Sequence, residues 1–331
     1  MKNDGLLFCI LQSGFYNGIR IVRWRLGAGL ALPAAACKTA ATLSGRAFPT
    51  GKGAGECRTA GKGAEMEYFT LNNGVKLPAV GFGTWDVRGE AGKQVILTAL
   101  EVGYRLIDTA QMYGNEEIVG QAVRESGLAR KDVFITTKLY RPSCSYQKAK
   151  EGIAKSLEAL QTDYLDLLLI HEPYEQALEM YEALKEAYAA GKVRAIGISN
   201  FEPKDYDRFL KQCGLVPAVN QVEAHVYYPQ LELKAQLDRQ GTQMQSWGPF
   251  TEGRRNIFAQ PLLNQIGAKY GKTAGQTALR YLLQNGIAVI PKSVHRERME
   301  ENLHCLDFQL TPEDMAQLST LNEGRSLFGW Y

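Results

Sequence analysis

The chain is poor in the residues that cross-link a fold or hold a metal. Of 331 residues, six are cysteine and four are histidine. Cys9, Cys37 and Cys57 lie in the first 65 residues, and Cys144, Cys213 and Cys305 are scattered beyond them without a close pair. That spacing excludes a disulfide framework and a zinc site, and it fits a reducing, cytoplasmic setting. No Asn-x-Ser/Thr acceptor occurs, which leans the same way. Charge of one sign is lacking too. The formal net charge is +3, but residues 1–65 hold nine Lys or Arg against three acids, so the remainder stands at −3. A mildly acidic body without a basic face excludes a nucleic-acid partner. At 45% hydrophobic and 22% charged, the composition is that of a globular protein, with neither a fibre nor a membrane partner indicated. A monomer is expected.

Residues 1–65 carry eleven of the 33 glycines and sustain no helical or alternating period. Such a segment buries too little apolar surface to offset its ordering entropy, so a disordered extension is expected. Arg20, Arg23 and Arg25 ahead of the stretch Leu26 to Ala36 resemble a signal or transit peptide, although two glycines and a proline interrupt the stretch. Met66 directly precedes the first strand-like segment and is an alternative start. The alternation Gly51, Gly53, Gly55 lacks the flanking strand and helix of a dinucleotide fingerprint, and Gly271-Lys272-Thr273 reads as a turn between helices.

From Met66 onward the pattern is dense. Tyr68 to Leu71 and Val75 to Leu77 flank Asn72-Asn73-Gly74, a hairpin signal. Eight apolar runs follow: Ala79 to Phe82, Leu106-Ile107, Val133 to Ile135, Tyr164 to Ile170, Val193 to Ile198, Ala218 to Val222, Met244 to Trp247 and Ile287 to Ile290. Between them lie helix-period segments such as Ile153, Leu157 and Leu160. Runs that are continuously apolar suit parallel strands buried on both faces. The expectation is an α/β fold: one (β/α)8 TIM barrel over residues 66–331, its floor plugged by the N-terminal hairpin. Two extra helices are expected, near Gln260 to Tyr270 and Pro312 to Leu321.

Most runs end in a single polar or aromatic residue. Asp108 is followed 30 residues later by Lys138 and 33 after that by His171, then by Ser199, Gln221, Trp247 and Lys292. The ends of parallel barrel strands share one rim, so this spacing predicts a ring of functional groups. Tyr113 stands close behind Asp108. A phenol titrates at about 10, and a neighbouring ammonium is expected to draw it down. Lys138 is the candidate cation, Asp108 the carboxylate that keeps it charged, and His171 the group that aligns a substrate oxygen with the Tyr113 hydroxyl. Taken singly, these residues also have structural readings, such as a rim ion pair, a packed aromatic or a helix cap at Ser199-Asn200.

Gly103-Tyr104-Arg105-Leu106-Ile107-Asp108-Thr109-Ala110 with Tyr113-Gly114-Asn115-Glu116 resembles the signature of the aldo-keto reductases. Thr136-Thr137-Lys138, Leu169-Ile170-His171, Gly197 to Phe201, Asn220 to Glu223 and Ile290 to Ser293 match in family order. Ser246-Trp247-Gly248-Pro249, where other branches carry a tyrosine, is similar to the bacterial 2,5-diketogluconate reductase branch. The resemblance implies reduction of aldehydes and ketones, with Tyr113 as proton donor supported by Lys138, Asp108 and His171. It implies NADPH as cofactor, with Ser199, Asn200 and Gln221 on the carboxamide and Trp247 stacked on the nicotinamide. Lys292, Ser293 and Arg298, with Val294, would hold the 2′-phosphate end, and Glu301 and Asn302 the adenine. His295 departs from the family's residues there. Trp85, Phe82 and Glu172 are expected to line the substrate pocket. Glu172 stands where many relatives have tryptophan or glutamine, and a short following loop suits small polar aldehydes, dicarbonyls or keto-sugars. Two other readings are a cofactor-binding regulatory subunit and a Schiff-base aldolase using Lys138 as nucleophile.

Overall fold

A computed structural model describes residues 66–329 and, upstream, four residues that pair as an antiparallel ribbon, β1 (Phe15–Tyr16) with β2 (Ile19–Arg20). The expectations for the extension, its targeting patterns, its three cysteines and the Gly51-Gly53-Gly55 alternation otherwise lie outside the described residues, as do Trp330 and Tyr331. Among the described residues no helix is long and apolar enough to cross a membrane.

The Asn72-Asn73-Gly74 turn closes the expected hairpin. Gly74 takes a φ of +86°, which a side chain would strain, and Asn73 Oδ1 accepts from the Val75 amide. The strands β3 (Tyr68–Thr70) and β4 (Lys76–Pro78) pair with Phe69 opposite Leu77. Leu71 and Leu77 are buried with Leu106, Phe134, Leu167 and Val219, so the hairpin plugs one end of the barrel.

Eight parallel strands then follow in chain order: β5 (Phe82–Gly83), β6 (Leu106–Asp108), β7 (Phe134–Leu139), β8 (Leu167–Ile170), β9 (Ile196–Ser199), β10 (Val219–Glu223), β11 (Gln243–Trp247) and β12 (Ala288–Val289). Closure comes just ahead of β5. Val80 bridges Val289 in parallel, with the Gly81 amide 2.8 Å from the Val289 carbonyl and the Val289 amide 2.9 Å from that of Ala79. Among the described residues ten α-helices alternate with and follow these strands: α1 (Gly89–Val102), α2 (Glu116–Glu125), α3 (Tyr146–Leu160), α4 (Ala177–Ala189), α5 (Pro203–Leu210), α6 (Leu231–Gln240), α7 (Pro261–Lys269), α8 (Ala274–Gln284), α9 (Arg296–Leu303) and α10 (Pro312–Ser319). The two extra helices of the sequence reading are α7 and α10. Thr273 caps α8 through a reciprocal pair with Gln276, so Gly271-Lys272-Thr273 is the turn expected there.

Because strand side chains alternate, each strand presents one set to the helices and one to the barrel interior. Ile107, Ile135, Leu168, Ile198 and Val289 join the helices in the outer core. The inner set begins apolar, with Leu106, Phe134, Leu169, Val219 and Ile290. Two residues further along the same strands stand Asp108, Thr136, His171, Gln221 and Lys292. At Gly197, on β9, a Cβ would meet the Val219 carbonyl oxygen at 2.5 Å, so only glycine lets β9 and β10 approach.

Candidate active site

The polar ends of these strands surround a cavity of about 550 Å³ at the C-terminal rim. Asp108 ends β6, Tyr113 sits on the 3-10 turn Gln111–Tyr113 that follows it, Lys138 lies in β7 and His171 directly follows β8. Lys138 and Asp108 are each 1% exposed, with Nζ 2.5 Å from Oδ1. Lys138 Nζ also donates to the Thr109 carbonyl at 3.1 Å and to the Tyr113 hydroxyl oxygen at 3.2 Å. Gln221 Nε2 donates to Asp108 Oδ2 at 2.7 Å and to Gln245 Oε1 at 2.8 Å.

Protonation follows from these contacts. Burial alone would lower the Lys138 ammonium, but Asp108, with Tyr113, raises it above the ordinary lysine range. Burial also lifts the Asp108 carboxyl against the pull of Lys138 and Gln221. We take the pair as ionic because both carboxylate oxygens receive donors, which leaves no acceptor for a carboxyl proton. Burial raises Tyr113 by more than Lys138 lowers it. The expected downward shift of the phenol is therefore corrected for the protein without ligands: Lys138 opposes the rise but does not reverse it. His171 is pushed down to about 3, by burial first and by Lys138 second, so its imidazole is neutral at physiological pH. Its Nδ1 is buried without a partner among the described residues.

Ser199, Asn200, Gln221, Trp247 and Lys292 all line the cavity. Ser199 Oγ donates to the Gln221 carbonyl at 2.8 Å. Asn200 takes a φ of +66° and does not stand at the N-cap of α5, a position held by Glu202. Its Oδ1 accepts from Trp247 Nε1 at 2.7 Å. Gln221 Oε1 accepts from no described residue, which leaves a carbonyl for an amide donor. Ser293 is buried, with Oγ accepting from the His295 amide, while Val294 and Arg298 are exposed. Glu301 Oε1 accepts from Thr273 Oγ1 at 2.5 Å, and Asn302 is buried.

Of the expected pocket residues, Trp85 and Glu172 line the cavity, with the Trp85 ring edge-on to Tyr113 at 5.0 Å. Phe82 does not. It is fully buried against Tyr104, ring centroids 5.5 Å apart, because alternation along β5 turns Phe82 to the helices and Gly83 to the cavity. The sequence reading missed Gln245, which fixes the Gln221 amide. Gln245 precedes Trp247 by two residues on β11, so period two could have found it. It also missed Met112, Phe250 and Glu252, brought to the cavity by loops.

A buried lysine–aspartate pair touching a phenol at the C-terminal mouth of a barrel, where enzymes of this fold keep their active sites, defines a class, the barrel enzymes. Comparison with known proteins narrows that class. The model of the Aldo/keto reductase family matches residues 79–323, and the chain belongs to this family. It is 41% identical over 255 residues to the glyoxal reductase of Bacillus subtilis (strain 168), covering 76% of this chain and 92% of that protein. A solved structure described as a 2,5-diketo-D-gluconic acid reductase B is 38% identical with a TM-score of 0.75, covering 80% of this chain and 94% of that one. Aldo-keto reductase AKR2E5, solved in complex with NADPH, is 33% identical with a TM-score of 0.75 over 80% of this chain and 90% of its own.

Proposed function

We propose that the protein reduces small aldehydes and ketones with NADPH, using Tyr113 as the proton donor. The observation that carries this reading is the bridge of Lys138 Nζ between Asp108 Oδ1 at 2.5 Å and the Tyr113 hydroxyl at 3.2 Å, inside the cavity that Trp247 and His171 line. NADPH held there would supply the hydride for the carbonyl carbon. Tyr113 gives its proton to the carbonyl oxygen as negative charge gathers there, and the Lys138 charge stabilises the phenolate left behind. Neutral His171 orients that oxygen by hydrogen bonding. Gln221 Oε1 is open to a carboxamide donor, with Ser199 and Asn200 beside it on the cavity and the Trp247 indole as a flat wall. Lys292 lines the cavity and Arg298 stands exposed on α9, neither in an ion pair among the described residues, so both are available to a 2′-phosphate.

The glyoxal reductase relative and the polar side chains of Glu172, His171 and Tyr113 on the cavity support small polar aldehydes, dicarbonyls or keto-sugars as substrates. A Schiff-base role for Lys138 is disfavoured because Asp108 holds the amine protonated and un-nucleophilic. The test is NADPH oxidation with glyoxal and methylglyoxal, by the wild type and by Tyr113→Phe. Turnover lost in the variant with NADPH binding kept supports the reading; turnover equal to wild type overturns it.

A further inference from the structure

Glu172 sits at a place where a charge decides what enters. It directly follows His171, is half-buried, and lines the same cavity as Tyr113. Its Oε1 accepts from Asn200 Nδ2 at 3.2 Å, and that amide also donates to the His171 carbonyl at 3.1 Å. Arg141, in the loop after β7, acts on Glu172 through space but forms no ion pair with it among the described residues. The remaining lining charges do not cancel it. Asp108 is neutralised by Lys138, and His171 is neutral. Asp86 is paired with Arg88 at 3.5 Å, Glu252 adds a further carboxylate that Arg254 and Lys292 oppose, and Lys292 is the lining cation among the described residues. On the reading above, Lys292 belongs to the cofactor's phosphate, so a substrate meets a mouth of negative sign.

We propose that Glu172 makes this site select by charge, admitting neutral or cationic carbonyl compounds and rejecting those that carry a carboxylate. The proposal rests on the carbonyl-reductase reading and deepens it by naming the substrate class. An anionic substrate entering this mouth loses hydration and gains a like charge in a confined cavity, where field lines are focused. A neutral dicarbonyl meets no such opposition, and Glu172 is a ready acceptor for its hydroxyl or hydrate.

Glu172 also provides its own internal control. Burial lifts its carboxyl to about 7, with Asn200 and Arg141 opposing. The groups that face it are the Arg141 guanidinium, the Asn200 amide, the neutral His171 and the Tyr174 phenol, behind which lies Cys144. Burial raises the Tyr174 phenol out of the working range, so Glu172 is the one of these groups that changes charge near neutrality; burial also raises Glu252 on the cavity lining, and the Glu172→Gln comparison below separates the two. Repulsion of an anion is therefore present above about 7 and fades below it.

The test compares para-carboxybenzaldehyde with its uncharged isostere para-formylbenzamide, each as kcat/KM for NADPH oxidation between about pH 6 and about pH 8. Taking the ratio of the two cancels the titration of Tyr113 and any pH effect on the cofactor. The wild-type ratio should fall roughly tenfold as pH rises across this window, the effect of one like charge at partly screened range. In Glu172→Gln the ratio should be flat and roughly tenfold higher at the upper end. A wild-type ratio that ignores pH, or a variant ratio equal to wild type, overturns the proposal. If that variant does not fold, Glu172→Ala takes its place in the same comparison. Should neither aldehyde be reduced, the reductase reading fails and the charge preference is read from binding. Indole fluorescence quenching that favours the amide then supports the proposal, and equal binding refutes it.

Discussion

Replacing Lys138 by methionine removes the ammonium and keeps most of the side chain's length, so it isolates the charge. Its partner Asp108 lies 2.5 Å away, and both are 1% exposed. Removing one member of such a pair leaves the other ion buried, at a loss of about 3–5 kcal/mol. In a domain of this size that lowers Tm by roughly 6–10 °C. The Gln221 amide still donates to Asp108 Oδ2 at 2.7 Å, which holds the loss toward the lower end. The loss has a pH signature. Without the ammonium, burial dominates and the folded pKa of Asp108 stands above its unfolded value of about 4. Below that value both states are protonated and no penalty exists; as pH rises past it, the unfolded chain ionises first and the penalty grows. Lys138→Met should thus approach wild-type stability in acid and fall behind it at neutral pH. Adding Asp108→Asn should recover most of the deficit at neutral pH without recovering turnover. Thermal melts of the single and double variants measure both effects. A double variant no more stable than Lys138→Met at neutral pH refutes the buried ion pair on which the proton donor depends.

Tyr113→Phe should abolish carbonyl reduction and leave NADPH binding near wild type, read by initial rates beside a fluorescence titration of the cofactor. Arg298→Ala should weaken NADPH binding by about 1.5 kcal/mol, the lower end for a bond to a charged group because Arg298 is exposed, with NADH unaffected. Equal weakening of both cofactors removes Arg298 from the phosphate. His171, held down to about 3, should show ring nitrogen shifts that stay flat through neutrality, and a midpoint near the ordinary histidine value refutes its burial. Because the unfolded imidazole takes up a proton below about 6.5 and the folded one does not, this residue should also lower stability as pH falls from there toward about 3.

What was legible in the sequence was the part set by period and spacing. Buried parallel strands are apolar on both faces, so the eight runs stand out from the amphipathic helices, and their ends predict one rim. Asp108, Lys138, His171, Gln221 and Trp247 were found by that rule. The pocket expectation for Phe82 did not come from that rule and is corrected by it, since on the two-residue strand β5 Gly83 takes the inward place. The same rule, carried two residues upstream from Trp247, would have found Gln245. Glu252 was beyond its reach. It enters the cavity on a loop where Thr251 and Glu252 take φ values of +62° and +47°, a backbone that their residue types do not announce. The direction of the Tyr113 shift was likewise hidden, because proximity of a lysine can be read from spacing and the depth of burial cannot.

The alternation that places these polar groups at the rim also explains why they tolerate burial. Asp108, His171 and Gln221 each lie two positions beyond a buried apolar residue, Leu106, Leu169 and Val219, so the barrel interior there is apolar below the rim and hydrogen-bonded at it. Gln245, Gln221, Asp108, Lys138 and Tyr113 form one chain of bonds running through β11, β10, β6 and β7 to the turn after β6. In such a chain each donor is fixed by the next acceptor, and the Asp108 carboxylate sets the orientation of the Gln221 amide rather than the reverse. The consequence is that Gln221 must present its carbonyl to the cavity. Asp108→Asn would release that constraint, because an amide at position 108 can accept through only one of its two terminal atoms.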